Sequence, residues 1–278
     1  MLYSYKHNYT SIKNKLIDQD RIIMLTTKRL FLKNMFLYLL LLITTSVAIS
    51  INANSSSDVY KNIDIHLSVS DKIKKQIEDF NKYLANSGIL KEYSITPFIK
   101  HHPVHITLYL TDLDINKLDD IKAEVKKIAL QWKKFKIRTT YINPSESSFV
   151  MLEVDDIKQK NGDNNKLQTF SDEIIFNLMK YRNKKAVIPA WAKTLPDKYK
   201  SFKLYGTPNA FMEFTPHFSI LAGTFKTPKQ KTAFLKEMKK LVSEYKYKPI
   251  EAEVVSIGIG YVNSLGQMIK EIANYPLN

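Results

Sequence analysis

The chain has 278 residues, 44% hydrophobic and 12% aromatic, ample for a globular core in one large domain or two small ones. It has six histidines and no cysteine, which excludes disulfides, thiolate metal sites, thiol nucleophiles and an N-terminal lipidated cysteine. The formal charge of +15 is carried mostly by lysine, the arginines being Arg21, Arg29, Arg138 and Arg182; it fits either a solvated basic surface or attraction of polyanions.

Residues 1–23 are polar, after which Lys28, Arg29 and Lys33 precede an apolar run over 35–50, with small residues around Ala48 and Ala53. A cationic segment, an apolar segment and a cleavage site in that order predict a secretory signal within 1–53 and an exported product, periplasmic or secreted, with no stable membrane insertion after cleavage. A start at Met24 gives a leader of ordinary length. An uncleaved anchor is the alternative, and the apolar run falls short of the roughly 20 residues of a spanning helix. Removing 1–53 leaves 35 cations and 25 anions, a net charge of +10. A polar linker over 54–61 leads to a domain over 62–278.

In that domain, Ile63, Ile65 and Leu67 alternate with Asp64, His66 and Ser68, predicting a strand with His66 exposed on its outer face. Ile73, Ile77, Phe80 and Leu84 then mark a helix ended by Gly88. A strand from Pro103 to Leu110 follows, and next a helix with Leu118, Ile121, Val125, Ile128 and Trp132 on one stripe. Strands over 135–142 and 149–154 flank a turn at Asn143-Pro144-Ser145-Glu146. A loop over 155–166 precedes a helix with Leu167, Phe170, Ile174, Leu178 and Tyr181 on one face. The segment 182–209 has no period and carries Pro189, Pro196, Gly206 and Pro208, so it is expected to be an irregular insertion whose Trp191 and Tyr205 either flank the site or pack. Beyond His217, Thr227 and Pro228 start a helix, 251–262 is a strand with Gly258 and Gly260, and 265–272 is a short helix or edge.

Within the first motif strand stands His105-Ile106-Thr107-Leu108, and the second holds His217-Phe218-Ser219-Ile220. Period two puts His105, Thr107 and Tyr109 on one face, and His217 with Ser219 on another. Pro103 and Pro216 mark the two strand starts, and 112 residues separate the histidines. His101 and His102 beside His105 could be drawn as a metal cluster, but the strand spreads their directions and no acidic residue is near in sequence, so no metal is expected.

This matched pair resembles the twin H-x-[ST]-h motifs of the 2H phosphoesterase superfamily, which holds bacterial 2′-5′ RNA ligase-like proteins and cyclic phosphodiesterases. The resemblance spans roughly 62–261. Each motif strand is followed by a helix and a further strand, and the resemblance implies an α+β, bilobal, duplicated fold: two antiparallel sheets with outer helices around a central cleft. It implies His105 and His217 as catalytic acid and base and Thr107 and Ser219 as phosphate donors; Tyr109, by its strand face, and Trp191 and Tyr205, by the insertion's place before the second motif strand, are candidates to line the substrate. One imidazole would take a proton from the nucleophile and the other give one to the leaving oxygen. The expected activity is metal-independent phosphodiester hydrolysis by a monomer without cofactor. Its partner would be a nucleotide or RNA bearing a 2′,3′-cyclic phosphate or a 2′-5′ linkage, with ligation as the reverse reaction. The alternative is a nucleotide- or RNA-binding module of the cell envelope that does not turn over.

Overall fold

The computed structural model describes residues 59–156 and 165–278, so the predicted leader and most of the linker lie outside the described residues. Its elements are β1 (Tyr60–Val69), α1 (Lys72–Ser87), β2 (Ile106–Asp114), α2 (Leu118–Gln131), β3 (Phe135–Pro144), β4 (Phe149–Asp156), α3 (Lys166–Leu178), α4 (Pro196–Tyr205), β5 (His217–Ala222), α5 (Pro228–Glu244), β6 (Glu251–Val262) and β7 (Met268–Pro276). Among the described residues no helix is long and apolar enough to cross a membrane. One expectation changes: the insertion over 182–209 contains α4, which Pro196 opens and Gly206 ends. Of the two expectations for 265–272 the edge holds, a turn there leading into β7, which among the described residues pairs with β6 alone.

All strand pairs are antiparallel, in the order β2-β1-β6-β3-β4-β5. The expected two sheets are joined through β6. One edge of β6 pairs with β1 along its length, while the other gives Glu251–Val254 to β3 and Ser256–Val262 to β7. The sheet thus branches into two four-stranded arcs, β2-β1-β6-β7 and β6-β3-β4-β5. The motif strands β2 and β5 stand at opposite ends of the hydrogen-bonding order, yet they touch. The sheet therefore closes back on itself around the space between them.

Helices cover it as their stripes require. Ile73, Ile77, Phe80 and Leu84 of α1, Ile121, Val125 and Ile128 of α2, Leu167, Phe170, Ile174 and Leu178 of α3, and Phe234 and Met238 of α5 are buried in one core with the sheet. Trp132, at the end of α2, stacks on Phe170 at 4.2 Å and gives its Nε1–H to Glu173.

One local irregularity sets the site. Ile65 pairs with Tyr109 and His66 with Thr107, so Leu108 is an extra residue, a β-bulge in β2. Its carbonyl accepts a hydrogen bond from the buried Ser171 hydroxyl of α3 at 3.0 Å. The bulge breaks period two, leaving Thr107 on the face of Asp64 and His66 and turning Tyr109 to the face of Ile65. Tyr109 is fully buried, its hydroxyl donating to the Tyr205 carbonyl at 2.6 Å. The expectation that it shares a face with His105 and Thr107 is corrected accordingly.

Candidate active site

His105 lies just before β2, and its Nδ1 is 2.9 Å from the Pro103 carbonyl; His217 opens β5, its Nδ1 2.8 Å from the Thr215 carbonyl. Both rings thus bond backward to the residue two positions earlier. A carbonyl can only accept, so each Nδ1 carries a proton and each neutral ring would keep its lone pair on Nε2. Ser219 follows His217 on the same face of β5, both half-buried.

The two Nε2 atoms then meet different surroundings. His105 Nε2 is 3.3 Å from Asp64 Oδ2, and the same oxygen accepts the Thr107 hydroxyl at 3.1 Å. Asp64 is fully buried on β1, beside His66, also fully buried. This corrects the expectation of an exposed His66. The face it occupies turns inward to the site, over Gly258 of β6, where an added Cβ would collide with its Nε2. Burial alone would lower the His105 pKa, but the hydrogen bond and charge of Asp64, with the Pro103 carbonyl, outweigh it and raise the pKa above the ordinary value. The same contacts favour the imidazolium form of His105, in which both nitrogens donate.

His217 goes the other way. Burial lowers its pKa, the Thr215 carbonyl and the Glu153 charge oppose this, and the charges of His105 and Lys198 depress it further. Glu153 faces His217 across the β4–β5 register but takes its hydrogen bond from Asn143 at 2.7 Å. Lys198 is fixed by Asn209 Oδ1 at 3.0 Å, the Glu213 carbonyl at 2.8 Å and the Glu213 carboxylate at 3.1 Å. His66 is likewise lowered, chiefly by burial.

A cavity of about 740 Å³ opens between the arcs, lined among others by Thr107, His217, Ser219, Phe149, Trp191 and Lys231. Of the residues expected from sequence, Thr107, His217, Ser219 and Trp191 therefore share its wall. His105 sits behind Thr107, within reach of His217 by charge, without itself forming that wall. Tyr205 packs on Phe211 at 4.6 Å and stands off the lining with Tyr109. His102 bonds the Met268 carbonyl at 2.8 Å, and among the described residues no group of three or more His, Cys, Asp or Glu is arranged to hold a metal ion. Sequence reasoning missed Asp64, His66, Glu153 and Lys198. The available signal was the placing of Asp64 and His66 on one face of a strand whose other face carries Ile63, Ile65 and Leu67.

A bulged motif strand and its counterpart meeting over a cleft, each carrying a histidine and a hydroxyl, fit the family match. The chain belongs to the 2′-5′ RNA ligase superfamily, whose family model matches residues 69–261. No curated protein matches it in sequence. Among solved structures it is similar to E. coli LigT in apo form, at 10% identity and a TM-score of 0.45, over 79% of this chain and 99% of that one. The TT0787 protein of Thermus thermophilus follows at 11% identity and 0.42, over 78% and 97%. Kluyveromyces marxianus Usb1 gives 11% identity and 0.40, over 79% and 98%.

Proposed function

We propose that the chain is a metal-independent phosphodiesterase acting on 2′,3′-cyclic phosphate or 2′-5′-linked nucleotide or RNA by two-histidine acid-base catalysis. Membership of the superfamily supports a phosphodiesterase or RNA-processing activity in general. The finer reading rests on one observation: two imidazoles pinned alike through Nδ1 have pKa values pushed in opposite directions. An acid and a base thus coexist at one pH. His217 Nε2 takes a proton from water as its oxygen bonds to phosphorus. The bond from phosphorus to one ribose oxygen breaks, and that oxygen takes the proton from His105 Nε2. Thr107 and Ser219 hydroxyls donate to the non-bridging oxygens as charge builds there. Trp191 offers a face to a base at the cavity wall.

A second reading, a nucleotide- or RNA-binding module without turnover, draws on the Asp64 carboxylate holding His105 Nε2 away from the cavity. Incubating the protein with 2′,3′-cyclic nucleotides and 2′-5′ oligonucleotides separates the two: hydrolysis that survives chelation supports the enzyme. Tight binding with no product establishes the module, and loss of turnover in EDTA restored by a divalent ion overturns the metal-free mechanism. Export with cleavage near Ala48 or Ala53 belongs to the same proposal. Intact mass of the protein from an envelope fraction tests it, and a full-length cytosolic product overturns it.

A further inference from the structure

Asp64 stands where an anion belongs. Its Oδ2 touches His105 Nε2 at 3.3 Å and Thr107 Oγ1 at 3.1 Å, the two atoms that the phosphodiesterase reading assigns to one side of the phosphate. Two buried anions do not share one imidazolium and one hydroxyl without a steep cost. Beside this contact lies unused hydrogen-bonding capacity. Asp64 Oδ1 and both ring nitrogens of His66 are buried without a hydrogen-bond partner among the described residues, a cost that buried polar groups rarely carry without reason. His66 Nδ1 is 3.9 Å from Asp64 Oδ2, and its Nε2 is 3.8 Å from Glu271 on β7. Gly258 beneath His66 gives its ring space, and Gly260, which carries no side chain, stands between Asp64 and Glu271 in the sheet register.

We propose that Asp64 is an internal anion that competes with the substrate phosphate for His105 Nε2 and Thr107 Oγ1, and that phosphate binding turns it toward His66 with uptake of a proton. The inference rests on the phosphodiesterase reading of the cleft. The charged and titratable groups around Asp64 are His66 on its own strand, His105 before β2 and Glu271 on β7; β6 contributes only glycines at its level, and His217 faces His105 from β5. When the phosphate takes over His105 and Thr107, His66 accepts one proton against the displaced carboxylate, and the orphaned atoms become a hydrogen-bonded pair. The substrate's own charge keeps His105 protonated for its later transfer.

The test is calorimetric titration with a deoxydinucleotide, whose diester carries a fixed single charge and lacks the 2′-hydroxyl, in buffers of different ionisation enthalpy. The wild type should take up about one proton per diester bound, and affinity should weaken about tenfold per pH unit above neutrality. Asp64→Asn, titrated at a pH low enough to keep His105 protonated without its carboxylate partner, should take up none and bind at least about tenfold more tightly. In His217→Ala the uptake should persist, which excludes the other imidazole as its source. Binding by the wild type without proton uptake overturns the inference, as does an Asp64→Asn variant that binds no more tightly. If Asp64→Asn does not fold, the wild-type proton count and pH dependence decide alone. A wild type that hydrolyses cyclic phosphates but binds the diester without uptake refutes only this inference, whereas no binding and no hydrolysis removes the cleft reading as well.

Discussion

The half-site on β1 and β2 and the half-site on β4 and β5 start from the same local geometry and end with histidine pKa values pushed in opposite directions. Each histidine bonds backward through Nδ1, and each faces a carboxylate from the adjoining strand. Asp64 is short, fully buried and bonded to His105. Glu153 is longer and occupied by Asn143, so it acts on His217 only through its charge. Under the proposed mechanism, the motif alone therefore does not decide whether its histidine is acid or base. The neighbouring strand does, through how closely its carboxylate is allowed to approach.

The sharpest way to break this comparison is to remove either imidazole. His217→Ala and His105→Ala should each lower kcat for cyclic phosphate hydrolysis by about 10²- to 10⁴-fold, and the double variant should lose far less than the product of the two. Near-normal rates in both single variants would refute the assignment of the pair. Thr107→Ala and Ser219→Ala should cost about 10- to 10³-fold, each removing one donor to the phosphate oxygens while the other remains.

The two charge states can be read separately from a pH profile of kcat/KM. His217 must be neutral and its pKa is lowered, so the acid limb should lie below about 6.5; His105 must be protonated and its pKa is raised, so the alkaline limb should lie above it. A profile with its optimum outside that window would reverse the roles or dissolve them. Gly258→Ala tests the packing under His66: with the new Cβ driven against its Nε2, denaturant titration should show a loss of about 1–3 kcal/mol.

The smallest expected effect is on stability against pH. His66 and His217 have lowered folded pKa values, so below about 6.5 the unfolded chain binds protons the folded one does not, and stability should fall on acidification. His105 is the opposite case: its contribution is full below about 6.5 and is lost as pH rises through its raised folded value. A thermal midpoint independent of pH on both sides of neutrality would contradict both directions.

Much of this was legible in the chain. Alternation marked β1 and both motif strands, and helical stripes such as Ile121, Val125 and Ile128 located buried faces correctly. Periodicity could not reveal the bulge at Leu108, because an extra residue in one strand shows only against the register of its partner. Tyr109 was misplaced for that reason. Asp64 and His66 looked like a solvated face because alternation distinguishes two faces without saying what covers the polar one; here both are fully buried, Asp64 against His105 and His66 over Gly258. In 182–209, proline and glycine punctuation hid a ten-residue helix that Pro196 starts and Gly206 stops.

The shared edges of β6 govern when the protein can become itself. This strand is the second to last in sequence, yet it joins β1, β3 and β7, so neither arc is complete until residues near the C-terminus have been made. Such long-range pairing folds late and comparatively slowly, leaving a growing chain without its central strand throughout most of synthesis. Under the export proposed above, that delay would keep the chain unfolded for its passage through a membrane, and the two histidines would first meet on the far side.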